Sequence, residues 1–531
     1  MADIPILTLL LVLSAAGAAA ALLVPKRYAG AVALAFAVLV FLLSLLLVLP
    51  HATTFSFDYA ASSADPLHLQ LGEAHPWIDN AGQPDHRFGI WYRVGVDGLS
   101  LPMVFLSTLM TMAAIAYAIH EPKRPNEFFG LLLVMQVGVL GVFTAQDYFV
   151  FYIFWEIVLI PMYFLIGIWG GPRRDYAAIK FFIYTHVASV IMVIGIMALV
   201  FENLRLTGVW SFAFADIAAS APQMDLVFKG GVFAALFFGF AVKMPVVPFH
   251  TWLPDAHVEA PTAGSVLLAA ILLKMGAYGL LRIAFQTFPD VLRTSYSWYG
   301  IDLPETRQIL AFLGVVSIIY GAFICLAQRD LKKLIAYSSI SHMGLVLYGM
   351  STTTGIGISG AVLQMFAHGL ISGALFMVVG SIHHGTGTRD IPKLGGLAQR
   401  LPLTAAVLVV ASMASLGLPG LASFVSELTV FTGGYQAYGL VISPVSIAIP
   451  IMGVLITAAY YIWALQRVLF GPFVERGLPM HDLPRNEKVV LLGLLVLIAF
   501  FGIWPAAILD MSTPGSFEVA SLIGGLTAGG R

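Results

Sequence analysis

Apolar residues in this chain neither alternate nor recur at helical spacing; they come in unbroken runs. The runs begin with Ile4 to Val24 and repeat to the neighbourhood of residue 511. Each is ~20 residues long, enough to cross ~30 Å of hydrocarbon as a helix. They predict about fourteen spans, centred on 4–24, 29–49, 97–119, 127–145, 147–169, 176–201, 228–251, 260–284, 308–327, 332–351, 356–383, 401–431, 445–470 and 487–511. The expected fold is therefore an all-α polytopic membrane protein. The first run is Ala-rich like a signal peptide, but it opens with Asp3 instead of a basic segment and a second span follows at once, so it is read as a membrane helix. The longest polar stretch, His51 to Arg93, has Asp, His, Gly and Pro throughout. It is read as a loop with room for a short hairpin.

Two spans contain breaks. The seventh holds Lys243-Met-Pro245-Val-Val-Pro248 and the twelfth holds Gly417-Leu-Pro419-Gly420. Proline removes a backbone donor and clashes with the preceding turn. In lipid the freed carbonyls need side chains, water or neighbouring helices. Breaks five spans apart predict two five-helix repeats, inverted in the membrane because the repeat is odd-numbered, with a site near the midplane. The expected division is 1–120 (helices 1–3 and the outer loop 50–95), 121–285 (first repeat), 286–470 (second repeat) and 471–531 (helix 14 and tail).

Composition changes the picture in one respect. Of 531 residues, 59% are hydrophobic and 10% charged, against ~25% charged in soluble domains. No hydrophilic block remains for a soluble domain, and the net charge of -1 argues against nucleic acid as a partner. One set of loops carries Lys26, Arg27, Lys123, Arg124, Arg173, Arg174, Arg329, Lys332, Lys333, Arg389, Lys393, Arg400, Arg467, Arg476, Arg485 and Lys488. The other set carries Arg87, Arg93, Arg205, Lys229, Arg282, Arg293 and Arg307. The excess, roughly two to one, puts the first set in the cytoplasm. Both termini then face out, as an even span count requires. The single cysteine, Cys325, lies in an apolar run and is read as packing volume.

Candidate chemistry rests on ionisable groups inside spans, each costing at least ~2.5–3.5 kcal/mol on insertion scales. Glu156 is central in the fifth span, Lys243 sits beside the break in the seventh, Lys274 is central in the eighth, and Glu427 lies past the break in the twelfth. Such groups can simply pin helices as structural ion pairs. Four of them, two beside broken helices, point instead to a proton or cation path. At an effective dielectric near 20, unit charges ~4 Å apart interact by about 4 kcal/mol. A movement of a few ångström is then enough to load or unload a proton. Glu156 with Lys243 is the expected pair, Lys274 the relay and Glu427 the terminus. His342 and His368, on consecutive spans between Lys274 and Glu427, are expected relay groups, since imidazole titrates near neutrality and carries a proton on either nitrogen. His186 in the sixth span is a further candidate. His250 is expected near the cytoplasmic end, lining an intake path, with His257, Asp255 and Glu259 less directly involved. His383 and His384 read as interfacial. No dinucleotide fingerprint, cysteine cluster or P-loop is present, so electron transfer and ATP are not expected in this chain.

The stretch from Lys243 through Pro-Phe-His250-Thr-Trp-Leu-Pro-Asp-Ala-His257-Val-Glu-Ala-Pro to Leu268-Ala resembles the signature of the antiporter-like subunits of respiratory complex I. That family is shared with multi-subunit cation/proton antiporters and membrane-bound hydrogenases. Val94-Gly-Val-Asp97-Gly-Leu-Ser and Asp330-Leu-Lys-Lys-Leu-Ile-Ala-Tyr-Ser-Ser-Ile-Ser-His342-Met-Gly match as well, and the resemblance covers nearly the whole chain. Within complex I, the type called chain M (mitochondrial subunit 4) has glutamate where its relatives, chains L and N, have lysine in the twelfth helix. Glu427 fits that type, as does the lack of a long lateral helix after the fourteenth span. The resemblance implies proton translocation driven by NADH–quinone electron transfer in partner subunits. NADH, FMN, iron–sulfur clusters and quinone are then held by those partners and no cofactor by this chain. It also implies the bacterial inner membrane as location. The alternative it leaves open is a subunit of a multi-subunit Na+/H+ antiporter.

Overall fold

The computed structural model describes residues 5–49, 57–58, 69–79, 89–121, 123–295, 297–298, 301–439, 444–473 and 482–525. Among them, eleven helices are long and apolar enough to cross a membrane, and Leu101–Tyr117 and Pro402–Ser415 are shorter apolar helices. Leu331–Ser351 has the length of a span, but its Lys, His and Ser residues make it more polar. Helices Thr262–Phe285 and Gly355–Thr386 are enclosed over their whole apolar stretch. They form the centre of the molecule, and on them and on Leu331–Ser351 sit Lys274, His342, Gln364 and His368, all buried.

Helix starts follow local chemistry. Asp147, Asp225 and Asp330 each accept two amide hydrogens from the first turn of the helix they precede, the usual N-cap arrangement. Glu305 and Gln308 close a capping box at Thr306–Leu326. Two other helices are capped from a distance. Glu73 accepts from the amides of Leu7 and Thr8, at the start of Ile6–Leu23. Asp482 accepts from the amides of Leu403 and Thr404, at the start of Pro402–Ser415. Glu73 stands on a two-stranded antiparallel hairpin, Gln70–Asp79 paired with Gly89–Val96. The described part of the long polar loop is thus a hairpin that ties down the first helix.

The breaks fall where the prolines lie. Helix Leu226–Lys243 ends at Lys243, and the chain resumes as Trp252–Glu259. Within the break the Trp252 indole donates to Val242 O at 2.9 Å, and Ser317 Oγ accepts from Val247 N at 3.0 Å. These side chains satisfy backbone groups that lipid could not. The twelfth expected span is likewise two helices, Pro402–Ser415 and Ala422–Gln436.

Four features differ from the expectation. The fifth span is also interrupted, into Tyr148–Ile157 and Leu159–Trp169. Pro161 has no amide hydrogen to return to Ile157 O, and the helix yields at Val158. The final span stops at Ile503, and residues 506–524, read as span end and tail, form a further helix, Ala506–Gly524. Arg282, counted with the outer loops, is buried in the π-helical segment Leu280–Phe285. Its guanidinium bonds Asp97 at 2.5 Å and Gln146 at 2.9 Å, so Asp97 compensates the charge inside the protein. Lys229, also counted with those loops, lies buried in the first turn of Leu226–Lys243 and pairs with Asp290.

Candidate proton-conducting site

The central element is helix Thr262–Phe285, in which two π-helical segments, Leu268–Leu272 and Leu280–Phe285, flank the α-helical Leu273–Gly279. Such segments often mark functional positions because they open the regular ladder. Lys274 is fully buried between them. Its ammonium donates to Ala269 O at 2.6 Å and meets His368 Nδ1 at 2.7 Å. His368 and His342 lie with ring centroids 5.4 Å apart. His342 Nδ1 is 3.3 Å from Gln364 Nε2, and its Nε2 is 3.1 Å from Ser415 Oγ. The Gln364 carbonyl accepts from Ser426 and, at 3.4 Å, from Ser423. Ser423 in turn is 2.8 Å from Glu427 Oε1. Polar groups therefore run from Lys274 through His368, His342, Gln364 and Ser423 to Glu427, hydrogen-bonded at each step except between the two imidazoles, which are neighbours without a direct bond. A cavity of about 20 Å³ lined by His342, Ser341, Thr457 and Glu427 is large enough for one water molecule.

The breaks place the ends of this line. Gly417 has φ +80 in the interruption before Ala422–Gln436, a conformation that favours glycine. A Cβ there would collide with the Glu427 carboxylate. The same glycine thus lets the chain turn and leaves room for the acid. On the other side, Gly276 lets helix Leu273–Gly279 lie directly against the backbone of Phe240 and Met244, beside Lys243.

Glu156 and Lys243 are electrostatic neighbours but not in direct contact. Glu156 Oε2 instead bonds His186 Nδ1 at 3.2 Å. The Lys243 ammonium lies over the Trp155 indole, 5.1 Å from the ring centroid, and has no hydrogen-bond acceptor. Glu156 precedes the interruption at Val158, which turns its carboxylate toward the helix bearing His186. Because Trp155 and Glu156 are adjacent, the two charges stay within Coulombic reach.

Of the residues expected from sequence, Lys274, His342, His368 and Glu427 are brought into one line. Glu156, His186 and Lys243 form a second group. His250 is buried against Tyr320, centroids 4.9 Å apart, outside both. His257 is buried and stacks on Phe376, with neither ring nitrogen bonded. Sequence reading missed Gln364, Ser415, Ser423 and Ser426, whose neutral side chains give no signal in an apolar run. It also missed the burial of Lys332, whose ammonium donates to Ala260 O at 2.5 Å. Lys332, Arg389, Glu259 and Glu487 line a cavity of about 760 Å³ on the side of the basic loops. Among the described residues no group of three or more His, Cys, Asp or Glu side chains is placed to hold a metal ion.

Comparison with known proteins identifies the family. The family described as NADH:quinone oxidoreductase/Mrp antiporter, TM, matches residues 145–457, which include all eight candidate residues. The chain is 40% identical over 473 residues to the F(420)H(2) dehydrogenase subunit M of Methanosarcina mazei, covering 88% of this chain and 91% of that one. It is 41% identical over 447 residues to the NADH-quinone oxidoreductase subunit M of Pseudomonas aeruginosa, covering 82% and 84%. A chain in the structure of respiratory complex I from Thermus thermophilus superposes with a TM-score of 0.82 at 29% identity, over 97% of this chain and 99% of that one. The fold, the broken helices with their buried charges and these likenesses all point the same way: the chain belongs to the family of transmembrane subunits of NADH:quinone oxidoreductases and Mrp antiporters.

Proposed function

We propose that this chain is a membrane-arm subunit of an NADH:quinone oxidoreductase and translocates protons as electrons pass from NADH to quinone in other subunits. The observation that carries the reading is the line of polar groups from Lys274 to Glu427 through two neighbouring imidazoles. Each member can give or accept a proton or a hydrogen bond, and the whole line is enclosed in apolar helices. Lys274 gives a proton toward His368, His342 passes it on, and Glu427 receives it. Glu156, His186 and Lys243 form the input group; a change in the Glu156 bond to His186 alters the field at Lys243. His250 lies beside the break and lines the approach to that group.

Partners follow from an exposed polar pair. The side chains of His186 and Glu156 are 44% and 25% exposed at the middle of their spans. A carboxylate and an imidazole cannot be left in hydrocarbon at that depth, so a second membrane subunit covers them. Related antiporter-like chains, L and N, are the expected neighbours. NADH, FMN, iron–sulfur clusters and quinone belong to other subunits. The fourteen-span, inverted-repeat organisation and a bacterial inner membrane location with both termini periplasmic complete the proposal.

The test is to solubilise membranes in mild detergent, capture this chain and assay the captured material for NADH-dependent quinone reduction. Activity is expected. Capture of only other hydrophobic subunits, with Na+-dependent proton movement in vesicles, would overturn the reading in favour of a multi-subunit Na+/H+ antiporter.

A further inference from the structure

The hydrogen bonds around His342 have a direction. Ser338 donates to Ile335 O at 2.8 Å, Tyr461 donates to Ser338 at 3.2 Å, and Ser415 donates to Tyr461 at 2.9 Å. The chain ends on a carbonyl, which can only accept. Each hydroxyl has one hydrogen to give, so Ser415 has none left for His342 and must accept from it. His342 Nε2 therefore carries hydrogen. In the neutral ring Nδ1 is then a bare acceptor, and it faces the amide nitrogen of Gln364. The far end of that amide, its oxygen, takes the hydroxyl hydrogen of Ser426.

Ser426 has a second acceptor available, the carbonyl of Ser423 at 2.7 Å. If the amide turns over, its nitrogen donates to Ser426 Oγ, and the Ser426 hydrogen moves to Ser423 O. The amide oxygen then faces His342 and accepts from a protonated Nδ1. Each orientation gives His342 Nδ1 and Ser426 Oγ a complementary partner, and the two differ by one proton on His342.

We propose that Gln364 is a two-position amide switch between the histidine pair and Glu427. With nitrogen toward His342 it holds the imidazole neutral; with oxygen toward His342 it holds the cation. Resting on the relay reading above, the switch admits one proton at a time. His342 takes up the proton that Lys274 gives up while the amide oxygen faces Nδ1; when the amide nitrogen turns back the ring loses that proton toward Glu427 by way of the cavity that both side chains line, not through the amide. Gln364 is a positioning residue, since it neither gains nor loses a proton itself.

The test uses the assembled membrane complex with isotope-labelled histidine, and assigns His342 by subtracting the His342→Gln spectrum. Infrared or nitrogen resonance bands distinguish the neutral Nε2–H ring from the cation. Gln364→Glu presents only oxygens to the ring, and the expected result is a shift of His342 from neutral to cation. Gln364→Met has similar volume and no polar group. It is expected to leave His342 without its Nδ1 donor and to lower electron-driven proton transport about a hundredfold, the low end of what a positioned proton partner supplies. A neutral Nε2–H ring persisting in Gln364→Glu would overturn the switch, as would undiminished transport in Gln364→Met. The spectral readout stands apart from the relay reading, which fails separately if Lys274→Met transports protons like the wild type.

Discussion

Gly276→Ala tests how closely the two lysine-bearing elements must pack. The added Cβ would lie 2.6 Å from Phe240 O, 2.7 Å from Met244 N and 3.0 Å from Met244 Cβ. Ordinary contact with such atoms begins near ~3.4 Å, so the helices must part by roughly 0.7 Å to restore van der Waals distance. No flexible side chain can absorb this, because two of the three atoms are backbone. Those two are also bonded to each other, Met244 N to Phe240 O at 2.8 Å, in the last turn before the break. Overpacking of this kind costs about 1–3 kcal/mol, which the assembled helix bundle can bear. Misplacement by ~1 Å can slow a geometry-dependent step by about a hundredfold, and Lys243 moves with the turn. In inverted membrane vesicles, proton uptake during NADH oxidation should fall by about ten- to a hundredfold, while native gels show the complex assembled. Wild-type uptake from an assembled Gly276→Ala complex would refute the claim that transfer depends on this contact.

Three further outcomes follow from the same structure. Arg282→Met, which strands Asp97 without its partner, should cost about 3–5 kcal/mol and lower the amount of assembled complex, whereas the double change with Asp97→Leu should recover much of the loss; quantitative native gels decide. Glu73→Ala should uncap helix Ile6–Leu23 and cost about 1 kcal/mol, read as faster hydrogen exchange at the amides of Leu7 and Thr8, with transport retained. Lys243→Ala should lower NADH-driven pumping without unfolding the complex, and undiminished pumping would remove Lys243 from the input group.

Much of the architecture was legible because membrane helices are written in unbroken apolar runs, and because proline and glycine are costly inside them. The breaks after Lys243 and at Gly417–Gly420 could be read directly. So could Glu156, Lys243, Lys274 and Glu427, since a charge in an apolar run stands out. What was not legible has physical reasons. The Asp97–Arg282 pair joins residues 185 positions apart, and a count of basic loop residues takes Arg282 as a surface group. Glu156 turned to His186 because Pro161 disturbs the helix one turn later, a local effect that a span-length pattern averages away. Gln364, Ser415, Ser423 and Ser426 are neutral and carry no signature, yet they connect the imidazoles to Glu427. The last helix, Ala506–Gly524, contains Asp510 and Pro514 and reads as tail. Its buried face of Ile508, Met511, Val519 and Ile523 packs on Gly355–Thr386.

The central claim is that protons travel along the line from Lys274 to Glu427. It is tested most directly by reconstituting the captured complex in liposomes and measuring protons moved per electron pair for the wild type and for Lys274→Met, with quinone reduction measured in the same sample. Among the described residues Lys274 is the charged side chain bonded to His368, so its loss is predicted to lower the ratio or to slow proton movement and electron transfer together. An unchanged ratio at unchanged electron-transfer rate would show that protons do not pass this way.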